Sequence, residues 1–166
     1  MTQLPDDLNQ TADALATATR ALFRRSLHIR TVDTGSCAVC ESELRLLLAP
    51  HYDLHRLGFF FTPAPRHADL LVVTGPVVRA MELALRKTYA AMPEPRVVVA
   101  MGACPLGGIY KEDELVRGHL DGFLPVDVFI PGCPPSPLAL LQGLLVAVGR
   151  LHEKVGGLSF AERSLS

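Results

Sequence analysis

The chain has 166 residues, a formal net charge of −1 and a hydrophobic fraction of 49%. That length amounts to about one domain and buries a core without covalent staples. A pI near 6.6 lacks the basic footprint of a nucleic-acid binder. The longest apolar run, Leu138 to Gly149 with Gln142 inside it, falls far short of the roughly 20 residues of a membrane span. No signal peptide is expected, because Asp6 and Asp7 interrupt the opening stretch. The mean hydropathy of +0.27 is high for a soluble monomer. A parallel sheet buried on both faces, or surface reserved for protein partners, accounts for it.

In chain order, Leu4, Leu8, Leu15, Leu22 and Phe23 among many alanines predict a moderately amphipathic helix outside the main core, with a frayed tail as the alternative. Alternation over Ser26 to Asp33 reads as a short strand running into a loop, and Glu41 to Leu48 as a helix stopped by Pro50. Leu57 to Thr62 is a further candidate strand, followed by the turn Pro63-Ala64-Pro65. The apolar run Leu70 to Thr74 ends at Gly75-Pro76, and Val77 to Ala91 reads as a helix with proline at its start. Arg96 to Met101 and Val126 to Ile130 repeat the strand signal. A last helix takes Ser136 as N-cap and Pro137 as its first residue, runs to about His152, and is apolar nearly all round. The tail after Gly156-Gly157 is expected to be loose. Strands apolar throughout and alternating with helices define an α/β fold, an open and mainly parallel sheet with helices on both faces.

The four cysteines all fall in loop-like surroundings: Cys37 and Cys40 after the first strand, Cys104 after the Arg96–Met101 strand, and Cys133 in Pro131-Gly132-Cys133-Pro134-Pro135. In open α/β sheets ligands sit beyond the carboxyl ends of the strands. The cysteine loops are therefore expected together at that edge. Cys37 and Cys40 also stand at a helix N-terminus, where free N–H groups favour thiolate. Absence of a signal peptide implies a reducing compartment, where such spacings hold metal more often than they form disulfides. Four thiolates suit zinc or an iron–sulfur cluster. Structural zinc prefers two close pairs, whereas here one close pair joins two distant single cysteines, so the spacing leans toward a cluster. Buried free cysteines without a ligand role are the remaining reading.

Beyond the spacing, the chain carries Val32-Asp33-Thr34-Gly35-Ser36-Cys37-x-x-Cys40-Glu41, then Ala49-Pro50, Arg56-Leu57-Gly58-Phe59 and Pro65-Arg66-His67-Ala68-Asp69. Thr74-Gly75-Pro76-Val77, Met101-Gly102-Ala103-Cys104 and Pro125 to Pro135 follow in order. This succession resembles the small subunit of membrane-bound, energy-converting nickel-iron hydrogenases of the formate hydrogenlyase and hydrogenase-4 type. That family is closely similar to the B (20 kDa-type) subunit of respiratory NADH:quinone oxidoreductase. The resemblance covers roughly Leu27 to Leu151. It implies a flavodoxin-like fold carrying one 4Fe-4S cluster, with Cys37, Cys40, Cys104 and Cys133 at the ligand positions. The B subunit usually has its first two ligands adjacent, so the two-residue spacing here favours the hydrogenase branch. Ala38-Val39 stands where hydrogenase small subunits usually carry Asn-Gly, and Pro105-Leu106 where small polar residues are common.

The resemblance implies an electron-transfer subunit, not a complete enzyme. Its partners would be a catalytic large subunit, a ferredoxin-like iron–sulfur subunit and membrane-arm subunits, on the cytoplasmic side of the membrane. The rival within the family delivers electrons to quinone. A zinc-stabilised interaction module is the reading from a different class. The chain then divides into a helical extension over 1–25, an iron–sulfur α/β domain over 26–152 and a tail over 153–166.

Four residues are candidates to stand beside the cysteines. Glu41 and Glu43 open a helix, where the dipole alone favours carboxylates; proton transfer or redox tuning is the functional alternative. Arg66 and His67 read as a solvated turn, or as positive charge raising a cluster's potential. His51, His55, His119 and His152 have no ligand spacing with the cysteines. Gly107-Gly108 lacks the Lys and Ser/Thr of a P-loop and fits close backbone approach to a cluster or partner better. Asp127 is assigned no chemistry.

Overall fold

The computed structural model describes residues 6–107 and 114–163, the last eight of these as helix backbone only. Leu4, Gly108 and the final residues of the tail lie outside this set. The elements run α1 (Asp6–Phe23), β1 (Leu27–Asp33), α2 (Val39–Leu46), β2 (Phe59–Phe61), β3 (Leu70–Thr74), α3 (Arg79–Ala91), β4 (Val97–Met101), β5 (Val128–Ile130) and α4 (Pro137–Arg163), with short 3-10 turns between them. The five strands form one sheet in the order β2-β1-β3-β4-β5. Every pairing is parallel. This is the flavodoxin-like order of an open doubly wound sheet.

Strands β3 and β4 carry no polar face because both faces are covered, whereas β1 has His28, Arg30 and Thr31 half-buried among its apolar residues. In β3, Leu70 and Val72 enter the core beneath α1, α2 and α4, while Leu71 and Val73 enter a second core beneath α3. In β4, Val97, Val99 and Met101 face the first core, and Val98 and Ala100 the second. Period-two alternation thus survives as a choice between two apolar layers.

Three elements depart from the sequence expectation. Helix α1 does not lie outside the core: Leu8, Ala12, Leu15 and Ala16 are buried with Leu144, Ala147, Val148 and Leu151 of α4 in one cluster. Its small residues present a stripe against which α4 packs closely. Helix α4 passes through Gly156-Gly157 to Arg163 instead of stopping near His152. Helix α3 starts at Arg79, two residues late, because the preceding backbone is engaged elsewhere. Val78 bridges Val116 in antiparallel fashion, Arg117 N–H donates to the Val77 carbonyl at 2.8 Å and Arg79 N–H to that of Leu115 at 2.9 Å.

Two close contacts lock α4 in place. A Cβ on Gly143 would stand 2.3 Å from Ile130 Cδ1, so α4 sits against β5 at a distance only glycine permits. Farther along, Lys154 Nζ donates to Asp127 Oδ2 and to the Arg96 carbonyl, both at 2.8 Å, while Asp127 Oδ2 accepts from Val98 N–H at 2.9 Å. Asp127 therefore ties α4 to the amino ends of β4 and β5.

Because Leu15 is fully buried, Leu15→Ala is expected to lower stability by about 3 kcal/mol, as deletion of a core leucine side chain does. Urea denaturation checks it, and an unchanged midpoint would show α1 to be a dispensable appendage.

Candidate metal centre

A parallel sheet sends every strand out at the same edge, so the segments after β1, β4 and β5 meet there. Cys37, Cys40, Cys104 and Cys133 all line one cavity of about 80 Å³, together with Gly75 from the end of β3 and Gly132. Residues separated by nearly a hundred positions in the chain thereby share one wall. Cys40 is buried, Cys104 half-buried, and Cys37 and Cys133 exposed.

The first cysteine loop is braced from several sides. Asp33 Oδ1 accepts from the N–H groups of Gly35 at 2.8 Å and Ser36 at 2.6 Å. Thr34 Oγ1 donates to the carbonyls of Thr74 at 2.8 Å and Gly75 at 3.1 Å, fastening the loop to β3. Ser36 Oγ accepts from Ala38 N–H at 3.0 Å and donates to Glu41 Oε1 at 2.8 Å. Glu41 Oε1 also accepts from the Thr74 hydroxyl. Glu41 is thus a strut joining the cysteine loop, the first turn of α2 and the end of β3. Its other oxygen, Oε2, is buried with no partner among the described residues.

Backbone conformation sets the remaining approach. A Cβ on Gly102 would stand 2.9 Å from Cys40 Sγ, and Gly102 has φ of +94°. Its N–H donates to the Ile130 carbonyl at 2.8 Å, and Ala103 N–H donates to the Gly132 carbonyl at 2.8 Å, which fastens the Cys104 loop to the Cys133 loop. Gly107, also at positive φ, packs its Cα against the His119 ring, which a Cβ would strike at 2.4 Å. His119 therefore supports the Cys104 turn. Spacing gave no signal of this, since His119 lies fifteen positions away from Cys104.

The thiol electrostatics run against one expectation. The helix end was expected to favour thiolate at Cys40, yet burial pushes its thiol up to about 11, helped by the charges of Glu41 and of the other three cysteines. Burial likewise raises Cys104, followed by Cys133 and Cys37. Desolvation and mutual repulsion outweigh the short helix's dipole. Four thiolates can share this cavity only with positive charge among them, which a metal centre supplies.

Four cysteine thiols lining one cavity form a soft-sulfur donor set, which suits zinc or an iron–sulfur cluster.

Of the other candidates, Glu43 follows on α2, half-buried, with no hydrogen bond or ion pair among the described residues, and it does not line the cavity. Arg66 and His67 sit in the turn Pro65–His67 ahead of β3. The cysteines lie beyond the other end of that five-residue strand, about 17 Å along the sheet at the usual rise per residue. The structure does not bring these two residues to the cysteines.

Two outcomes check this geometry. In metal-free protein, iodoacetamide is expected to modify exposed Cys37 and Cys133 well before Cys40, as read by peptide mass spectrometry; equal rates would contradict the cavity. Gly102→Ala introduces about 1–3 kcal/mol of backbone strain beside Cys40 Sγ. It is expected to lower metal loading while circular dichroism stays that of the parent.

Comparison with known proteins agrees with the fold. Residues 37–147, which include all four cysteines, match the family model for the NADH ubiquinone oxidoreductase 20 kDa subunit. A probable membrane-bound hydrogenase subunit of Pyrococcus furiosus is 42% identical over 134 residues, covering 80% of this chain and 80% of that protein. Formate hydrogenlyase subunit 7 of Escherichia coli is also 42% identical over 134 residues, 80% of this chain, and the chain spans 52% of that relative's length. In the structure of the membrane-bound sulfane sulfur reductase, an archaeal respiratory membrane complex, one chain superimposes with a TM-score of 0.68 at 33% identity. That match covers 85% of this chain and 77% of the other. The chain belongs to the NADH ubiquinone oxidoreductase 20 kDa subunit family, a family of oxidoreductase-complex subunits.

Proposed function

We propose that this chain is the electron-transfer subunit of a membrane-bound, hydrogenase-type complex and holds one 4Fe-4S cluster through Cys37, Cys40, Cys104 and Cys133. The observation that carries the proposal is the convergence of these four thiols, from three loops, on one cavity. When bound, such a cluster supplies one-electron transfer at a potential set by burial and by hydrogen bonds to its sulfurs. The protein's part is to hold the thiols apart at fixed positions, to keep side chains out of the space between them, and to withhold Cys40 from water.

Electrons would pass between a ferredoxin-like subunit and a catalytic large subunit, with the chain docked on the cytoplasmic side at a membrane arm. The names of the relatives support this assignment, since two of the related proteins are a membrane-bound hydrogenase subunit and a formate hydrogenlyase subunit. No helix among the described residues is long and apolar enough to cross a membrane, so membrane attachment would come through partner chains. Among the cysteine loops, the exposure of Cys37 and Cys133 supports a site that a partner closes.

Anaerobic reconstitution with iron and sulfide tests the reading. Close to four irons per chain and a paramagnetic signal on reduction are expected, and Cys104→Ala should remove or alter both. Stoichiometric zinc without iron would sink it.

A further inference from the structure

A second concentration of charge lies at the edge of the sheet opposite the cysteines. Arg20, Arg24 and Arg25, around the end of α1, and Arg56, in the turn before β2, line one cleft of about 470 Å³. The sequence scatters these residues over 37 positions. The fold gathers them because β1 and β2 are parallel, so that the segments entering both strands start side by side. Leu27 N–H donates to the Gly58 carbonyl at 2.8 Å at that point.

The charge in this cleft is mostly uncompensated. Arg25 is held by Asp69 in a two-pronged pair at 2.6 and 3.0 Å. Among the described residues the Arg20 guanidinium reaches only the Arg56 carbonyl, at 3.5 Å. Asp53, the carboxylate of the neighbouring turn, accepts from the backbone N–H of Arg56 at 3.4 Å and forms no ion pair with its guanidinium. The guanidinium groups of Arg24 and Arg56 have no ion pair or hydrogen bond among the described residues. Three cations lining one cleft repel one another, and an anion among them relieves that.

Two further observations separate the cleft from an ordinary solvated face. Arg24 has φ of +52°, closing α1 through its N–H to the Arg20 carbonyl at 3.1 Å. Glycine normally fills that left-handed position, and nothing in the helix end calls for arginine there. A helix C-terminus favours cations at Arg20 and Arg24 but leaves Arg56 unexplained. On the other side of the cleft, the His55 ring stacks on Phe60 at 4.7 Å and 10°, and Phe60 remains 38% exposed. The cleft thus combines exposed arginines and an aromatic ring in one lining. Guanidinium groups match the planar, two-oxygen faces of phosphate better than any other cation in proteins.

We infer that this cleft binds a phosphate-bearing anion through Arg20, Arg24 and Arg56, beside the Phe60 wall. The chemistry is shared by a phospholipid headgroup and a soluble phosphate ester. Neither depends on what the cysteines hold. The test uses the full chain with two probes: inorganic pyrophosphate, followed by NMR of the arginine Nε–H signals, and sedimentation with phosphatidylcholine vesicles with or without phosphatidylglycerol. Binding of pyrophosphate with saturation supports a soluble ligand. Binding confined to phosphatidylglycerol vesicles supports a headgroup. In either case Arg24→Gly with Arg56→Gln is expected to weaken binding about tenfold or more, while Arg79→Gln, at the start of α3 by the opposite edge of the sheet, has little effect. Arg24→Gly also relieves the left-handed backbone, so lost binding would not come from unfolding. No binding of either probe, or binding weakened equally by Arg79→Gln, would overturn the inference.

Discussion

The structure depends on the strands all running the same way. In a parallel sheet each backbone ladder delivers its chain to one common edge, and the return crossings cover both faces with helices. The consequence is a separation of labour along the strand axis. One edge collects cysteines, glycines and the Ser36–Glu41–Thr74 hydrogen bonds, and the other collects arginines.

At the cysteine edge, rigidity comes from polar side chains on backbone, not from the cysteines. Thr34, Asp33 and Glu41 hold the first loop against β3, and backbone bonds join the second loop to the third. The thiols are thereby held close enough that ionising them sets charge against charge. Burial keeps Cys40 and Cys104 protonated instead, and a cationic centre would offset that cost.

The fold was largely legible because its strongest signals are local: apolar or alternating runs ending in turn residues, and helices between them. The meeting of the four cysteines at one edge was legible too, since cysteine is scarce and each one follows a strand or opens a helix. What escaped was tertiary. The burial of α1 rests on Ala12, Leu15 and Ala16 fitting under α4, and small residues give a weak periodic signal. The late start of α3 comes from pairing with residues 115–117, which no local pattern announces. Arg66 and His67 belong to the right stretch of sequence but to the wrong end of β3. The raised Cys40 thiol follows from burial, invisible in a motif. Asp69, which holds Arg25 and the His28 N–H, and His119, seated on Gly107, carry no motif at all.

The contact between Gly143 and Ile130 has a consequence for the thiol that lies between them in the chain. Ile130 ends β5, and Gly143 lies in the second turn of α4. The segment bearing Cys133 is consequently a short bridge with both abutments fixed. Most of the conformational freedom such a loop would surrender on binding has already been surrendered during folding. Selectivity for what the cysteines accept is then written partly in the spacing of a strand and a helix that never touch it.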